Sequence, residues 1–303
     1  MRALVVYNTF SGRSDVSKRI DYISERLKTK YELVECFASC GVNSIKEYII
    51  NYAADFDLLV AVGGDGTVNE AVNGLMQLQR RPIFAYIPSG TCNDTGKNLG
   101  LNKNIRKSVD IILEGEKVRM DVSKINEQYF IYGLAAGNLS DVSYAITHKA
   151  KKRFGRLAYY LNAIKSFVDD KTIDIKIKFD DCELKGKFFL FLATNSRYLA
   201  SMRLRYKSRQ YLNEGKLKIT LIRKKNRFIN TFDFIMYLLF GQIYKHNIEY
   251  YKTNKMVITS NKAITYNTDG EGVPSLSEIE VTVLPREIEM IVLKRIAKKY
   301  FIK

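Results

Sequence analysis

Along the N-terminal part of the chain, apolar side chains cluster in short uninterrupted runs separated by segments with helical spacing. Ala3 to Tyr7, Tyr31 to Phe37, Asp57 to Val62 and Pro82 to Ile87 read as strands, and Lys117 to Val122 as a further strand containing Asp121. Between them, about Asp15 to Lys28, Ser44 to Tyr52, Thr67 toward Leu78 and Asn102 to Leu113 read as helices. A capping box from Ser44 to Glu47 opens the second helix, and Gly115 stops the last. Buried strands alternating with helices predict an α/β layer built on a parallel sheet, in the Rossmann-like manner of nucleotide-binding domains.

Beyond Lys124 the pattern changes. Ile173 to Phe179, Lys187 to Ala193, Lys216 to Ile222, Lys255 to Ser260, Ala263 to Asn267, Ile279 to Leu284 and Ile288 to Leu293 read as strands with few helices between them. That implies a second, mainly antiparallel domain, a β-sandwich, over residues 125–293 after an α/β domain over residues 1–124. Residues 294–303 form a basic helix expected to pack back on the first domain, and Gly155 to Val168 and Phe228 to Ile243 read as helical insertions in the second.

The chemistry concentrates in the loops. Leu58 to Thr67 is an apolar strand running into Gly63, Gly64, Asp65, Gly66 and Thr67, whose glycines let backbone amides approach an anion where a helix begins. Thr67 and Glu70 have capping-box spacing for that helix. Asp65 would repel phosphate unless Mg²⁺ lay between them, so the loop reads as a metal–nucleotide site, with an ordinary glycine-rich turn as the alternative. Asn8 to Arg13, which includes Ser11 and Gly12, follows the first strand; Arg13 could hold a phosphate, or the turn could serve only to cap a helix with Ser14 or Asp15. Pro88 to Asp94, with Gly90, Thr91 and Asn93, ends a further strand. In a parallel sheet such loops converge on the carboxyl edge, where open α/β sheets bind ligands. Late in the chain, Tyr266 to Gly272 sets Asp269 and Glu271 either side of a glycine, a pattern that suits a general base or a hairpin turn.

Composition narrows the setting. The 303 residues carry a formal charge of +17, which favours polyanionic surroundings. The chain runs from Met1 straight into a strand, the pattern expected without a signal peptide, and the apolar stretch Phe228 to Phe240 is too short and too polar to span a bilayer. Cys36, Cys40, Cys92 and Cys182, with His148 and His246 as the only histidines, have no zinc-ligand spacing, and reduced cytosolic thiols are expected. Cations at Lys149 to Arg153, at Arg197 to Arg209 and at Arg223 to Arg227 lie beside aromatic and aliphatic residues, which suits an anionic membrane surface; no recognition helix or stacking motif points to nucleic acid.

Gly63-Gly64-Asp65-Gly66-Thr67, then Asn69-Glu70, then Gly90-Thr91-Cys92-Asn93-Asp94 and finally Asp269-Gly270-Glu271 resemble the diacylglycerol kinase catalytic-domain family, and within it the small soluble bacterial lipid kinases. The first motif is shared with NAD kinases and phosphofructokinases; the later two are lipid-kinase features. The resemblance implies a Rossmann-like ATP domain and a β-sandwich lipid domain, in a cytoplasmic enzyme peripheral to the inner face of the membrane, with homodimerisation left open. It implies ATP contacts from Asn8, Ser11, Gly12 and Arg13, from Gly63 through Thr67, and from Glu70, Gly90, Thr91 and Asn93. Asp65, Asp94 and Asp121 would surround Mg²⁺, Asp269 and Glu271 would take the proton from a lipid alcohol, and Tyr211, Glu214 and Lys216 would hold a second, structural metal. The chain departs from the family pattern at Thr9, where proline is usual, at Arg13 in place of lysine, and at Asn213 in the metal loop.

Overall fold

The computed structural model describes residues 1–8, 16–101, 103–137, 172–180, 182–199 and 202–302. Ser11, Gly12 and Arg13, the helix expected from Gly155 and the cations Lys149 to Arg153 lie outside them. The chain divides into two compact units: Met1–Val122 with Tyr211–Glu214 and Pro285–Lys303, and Ser123–Gln210 with Gly215–Leu284. The first unit thus draws on two segments beyond the boundary expected at Lys124.

In the first unit, β1 (Arg2–Tyr7), β2 (Leu33–Ala38), β3 (Leu58–Gly63) and β4 (Ile83–Pro88) form a parallel sheet in the order β2-β1-β3-β4. Ala3, Val5, Leu58, Val60 and Ala85 face Ile23 and Leu27 of α1 (Val16–Leu27) and Val109 and Ile112 of a helix at Ile105–Glu114. The intervening Leu4, Val6, Leu59, Ala61 and Phe84 are equally buried, so both sheet faces are covered, as uninterrupted apolar runs require.

Two helix starts differ from expectation. In α2 (Ser44–Tyr52) the Ser44 hydroxyl is taken up by Ser39 and the Gly41 carbonyl, each at 2.9 Å, so no capping box forms. Its first turn is instead served from α3 (Asp65–Leu75), where the Glu70 carboxylate accepts from the Ile45 amide at 3.1 Å. Helix α3 begins at Asp65 with Gly64 as its N-cap, so Thr67 lies inside the first turn and does not cap it. Two short helical segments follow in sequence, α4 (Asp94–Asn98) and α5 (Ile105–Glu114).

The second unit is antiparallel. Its strands are β5 (Glu116–Ile125, begun in the first unit), β6 (Gln128–Phe130), β7 (Gly133–Gly137), β8 (Ile173–Phe179), β9 (Cys182–Thr194), the short β10 (Tyr198–Leu199) and β11 (Met202–Arg203), β12 (Leu217–Arg223), β13 (Ile248–Thr253), β14 (Lys255–Thr268) and β15 (Glu271–Val292). Pairing runs β13-β12-β9-β7-β14-β15, with β8 against β9 and β14. The segments read as separate strands on either side of Asn261 and Lys262 are one strand, β14, whose register shifts between Thr259 and Ile264, so the polar interruption falls where the pairing is irregular. The pair expected from Ile279 and from Ile288 likewise merge in β15, where Arg286 takes a φ of 57° after Pro285. Past that residue the strand belongs to the first unit and lies parallel to β4, Met290 opposite Phe84.

Strands β9 and β12 are buried on both faces. Phe188, Phe191, Ile219 and Leu221 enter one core, and Phe189, Leu190, Leu192 and Ile222 enter another beneath Phe234 and Tyr237 of α6 (Arg227–Phe240). The C-terminal helix α7 (Lys294–Tyr300) belongs to the first unit, where Ile296 packs against Gly100 so closely that a side-chain carbon there would fall 2.7 Å away.

Candidate active site

In the first unit the register places Tyr7 beside Val62 and Gly63 beside Pro88, so Asn8, Gly64 and Ser89 leave the sheet at one carboxyl edge. The Asn8 amide still donates to the Val62 carbonyl at 3.3 Å. The two glycine loops then touch. A side-chain carbon on Gly90 would stand 2.5 Å from the Gly64 Cα, and one on Gly63 would stand 2.1 Å from Thr67 Oγ1. No side chain fits at either position, which explains the glycines before any ligand is considered. Three donors converge on the Gly63 carbonyl: the Ser89 amide at 2.7 Å, the Gly90 amide at 3.1 Å and the buried Tyr86 hydroxyl at 3.1 Å. That hydroxyl is also 3.1 Å from Asn93 Oδ1, while Asn93 Nδ2 donates to the Gly90 carbonyl at 2.9 Å. Burial, with the Asp65 and Asp94 charges, holds the Tyr86 hydroxyl well above its usual range, so it remains a neutral donor.

This clasp sets Asp65 beside Asp94. Asp65 Oδ1 accepts from the Thr95 amide at 3.2 Å, and Asp94 Oδ1 pairs with Lys97 Nζ at 2.8 Å. Burial first, and the Asp94 charge second, push the Asp65 carboxyl up to about 6. Two carboxylates with too little compensating charge suit a cation. Mg²⁺ takes one or two protein carboxylates together with phosphate oxygens and water, so the pair fits it. Of the neighbouring residues, Gly66 and Asn69 are partly exposed in α3, Thr91 is exposed and Asn93 is buried. Glu70 is engaged with the α2 terminus.

Asp121 is buried, and its Oδ1 accepts from the Arg286 amide at 3.0 Å. Tyr211 and Glu214 belong to the first unit and Lys216 to the second. At the departure from the family loop, Asn213 accepts from the Ile302 amide at 2.7 Å and donates to its carbonyl at 2.8 Å, fastening this loop to the C-terminal segment. Among the described residues, no three His, Cys, Asp or Glu side chains gather closely enough to hold a metal by themselves.

In the second unit, Asp269 and Glu271 have opposite environments. Asp269, with a φ of 52°, is buried, and its carboxylate accepts from the amides of Ile131 at 2.7 Å, Tyr132 at 2.9 Å and Gly133 at 3.0 Å. The Tyr132 hydroxyl donates to its carbonyl at 2.5 Å. Three backbone donors hold this group as a structural anchor. Glu271, first in β15, is exposed. The turn therefore presents one carboxylate and locks the other.

Sequence reasoning missed Tyr86, Lys97 and the Ile131–Gly133 amides. Lys97 was legible as the cation three residues after Asp94; Tyr86 reads as an ordinary strand residue, and backbone amides leave no trace in residue type.

The first unit defines a class: an open parallel sheet with glycine loops and paired carboxylates at its carboxyl edge. Comparison with known proteins narrows this. The model of the diacylglycerol kinase catalytic domain matches residues 2–125. A Staphylococcus saprophyticus protein named diacylglycerol kinase is 31% identical over 273 residues, covering 89% of this chain and 88% of its own. A Bacillus subtilis protein of the same name is 31% identical over 277 residues, covering 89% of each. A Bacillus anthracis crystal structure matches with a TM-score of 0.85 and 26% identity, over 97% of this chain and 96% of its own. The chain belongs to the diacylglycerol kinase catalytic-domain family and is a lipid kinase.

Proposed function

We propose that this kinase moves the γ-phosphate of Mg·ATP to the hydroxyl of diacylglycerol, giving phosphatidic acid, with a Rossmann-like domain for the nucleotide and a β-sandwich domain for the lipid. The relatives' name, diacylglycerol kinase, supports the acceptor. The observation that carries the reading is the crowding of Asp65 against Asp94 beneath two glycine loops, a charge arrangement that a phosphate-bound cation relieves. Backbone amides of Gly64 and Gly66, with Asn8 and Thr91, would hold the phosphates, while Asp65 and Asp94 would hold Mg²⁺. When bound, Mg²⁺ neutralises charge on the transferring phosphoryl group. Glu271 takes the proton from the lipid hydroxyl, and Asp269 fixes the turn that presents it. The acceptor being a membrane lipid, the protein works peripherally at the cytoplasmic face.

The test is labelled γ-phosphate transfer with diacylglycerol, a polyprenol, a sphingoid base and NAD run in parallel. Labelled phosphatidic acid is the expected product. Label appearing only in another alcohol would overturn the assignment of diacylglycerol.

A further inference from the structure

Helix α6 is apolar on two opposite sides. Its inner side, with Phe234 and Tyr237, packs on the Leu190, Leu192 and Ile222 face of the sheet. Asp233 sits on that side fully buried, bonded by the Tyr244 hydroxyl at 2.6 Å, Asn247 Nδ2 at 3.0 Å and His246 Nδ1 at 2.8 Å, which fixes the helix in rotation. The outer side carries Phe228, Phe232, Ile235 and Leu239, exposed by 83%, 56%, 48% and 51%. Spacings of four, three and four residues place these four on one stripe. The core already explains the inner side; nothing in it explains four large apolar side chains facing outward.

Charge identifies what covers them. Asp233 is the helix's only carboxylate and points inward, so the outer surface of α6 has no negative group. Lys225 and Arg227 are exposed at its start. At its end, the following turn bonds to the basic Arg203–Arg209 segment, Gln242 N donating to the Arg205 carbonyl at 3.0 Å, with Arg203, Arg205 and Lys207 exposed. Lys245 follows, also exposed. An apolar stripe between two cationic ends complements an anionic bilayer, with apolar groups below the headgroups and cations at their level. At 14 residues α6 is about 21 Å long by its rise per residue and cannot cross a membrane.

We propose that α6 lies in the plane of an anionic membrane surface and inserts Phe228, Phe232, Ile235 and Leu239, anchoring the kinase where its lipid substrate resides. This rests on the proposed function for the presence of a membrane, and its test is independent of catalysis. The chain contains no tryptophan, so Phe232→Trp supplies a single reporter. With vesicles of phosphatidylglycerol, the indole emission of that variant should shift to the blue and be quenched by brominated acyl chains, while Tyr52→Trp on α2 should respond to neither. Phe232→Asp with Ile235→Asp should lower vesicle partitioning at least tenfold, an effect on the scale of two apolar side chains withheld from the interface, and leave circular dichroism and the thermal midpoint unchanged. Lys225→Gln with Arg227→Gln should weaken binding to phosphatidylglycerol vesicles and leave binding to phosphatidylcholine vesicles as it was.

Two results would overturn the anchor. One is vesicle binding by the Phe232→Trp variant with unaltered indole emission. The other is a blue shift that depends on protein concentration without lipid and accompanies a doubled mass, which would show that a second copy covers the stripe. Insertion of the Phe232→Trp reporter with no phosphoryl transfer to any lipid would leave the anchor standing and overturn the kinase reading alone.

Discussion

Gly64 and Gly90 meet backbone to backbone, close enough that a side-chain carbon on Gly90 would fall 2.5 Å from the Gly64 Cα and 2.9 Å from Asn93 Oδ1. The first obstacle is backbone and the second is a side-chain oxygen held by the Tyr86 hydroxyl, so Gly90→Ala must separate the loops. The expected cost is about 1–3 kcal/mol of stability, the range for overpacking, with ATP affinity falling at least tenfold as the amides lose alignment. Gly41 is the control, since a side-chain carbon there meets nothing within 4 Å. Thermal unfolding and nucleotide titration of Gly90→Ala and Gly41→Ala compare the two; equal behaviour would count against the contact as the reason for glycine.

Asp269 and Glu271 should separate stability from turnover. Removing the Asp269 carboxylate strands three buried amides, so Asp269→Ala should cost about 2–4 kcal/mol from the penalty for unsatisfied buried donors. Glu271→Gln touches an exposed group and should leave the melting temperature in place. If Glu271 is the base, kcat should fall by about 10²–10⁴ while KM for ATP holds. Loss of activity in Glu271→Gln through unfolding would refute this division of roles.

How far these features could be read beforehand depended on whether the signal was local. Uninterrupted apolar runs marked β1, β3 and β4 to within a residue or so, because strands buried on both faces admit few polar residues. Ser44-to-Glu47 and Thr67-to-Glu70 both had capping-box spacing, yet neither box forms: the Ser44 hydroxyl is taken up by Ser39 and Gly41, and the Glu70 carboxylate meets a neighbouring helix whose proximity only the tertiary fold creates. Asp269 looked equivalent to Glu271 because its three partners are main-chain amides more than 130 residues away in sequence. Asn261 and Lys262 read as a break between two strands because a polar pair at a register shift leaves the same mark in the sequence as a strand end.

Asp65 makes stability depend on pH. Its carboxyl is raised from 3.8 to about 6 in the folded protein, so between those values the native state holds a proton that the unfolded chain releases. The stability that the Asp65 carboxyl contributes to the metal-free protein should therefore be full below about pH 4, fall as pH rises through about 6, and be lost above. The shift converts to about 3 kcal/mol at the usual 1.36 per unit, and partial exposure of the residue brings the expected loss nearer 2 kcal/mol. Asp65→Asn should abolish this slope and raise the melting temperature of the metal-free protein at pH 7.5, while Mg·ATP should stabilise the wild type more than the variant. A stability difference between the metal-free wild type and Asp65→Asn that stays constant from pH 4 to pH 7 would contradict the environment assigned to Asp65.

Glu70 supplies the last prediction, because two roles compete for one carboxylate. Its bond to the Ile45 amide, with further backbone amides of Asn43 and Lys46 nearby, makes it the cap that α2 lacks from its own sequence. Losing an N-cap costs about 0.5–2 kcal/mol, so Glu70→Ala should lower stability by that amount. Glu70→Gln should recover most of the loss, since an amide oxygen still accepts from Ile45 and the helix needs an acceptor more than a charge. If capping is the whole role, KM for ATP should track neither variant once each is assayed below its melting transition. A tenfold rise in KM for Glu70→Gln at unchanged stability would instead return Glu70 to the nucleotide.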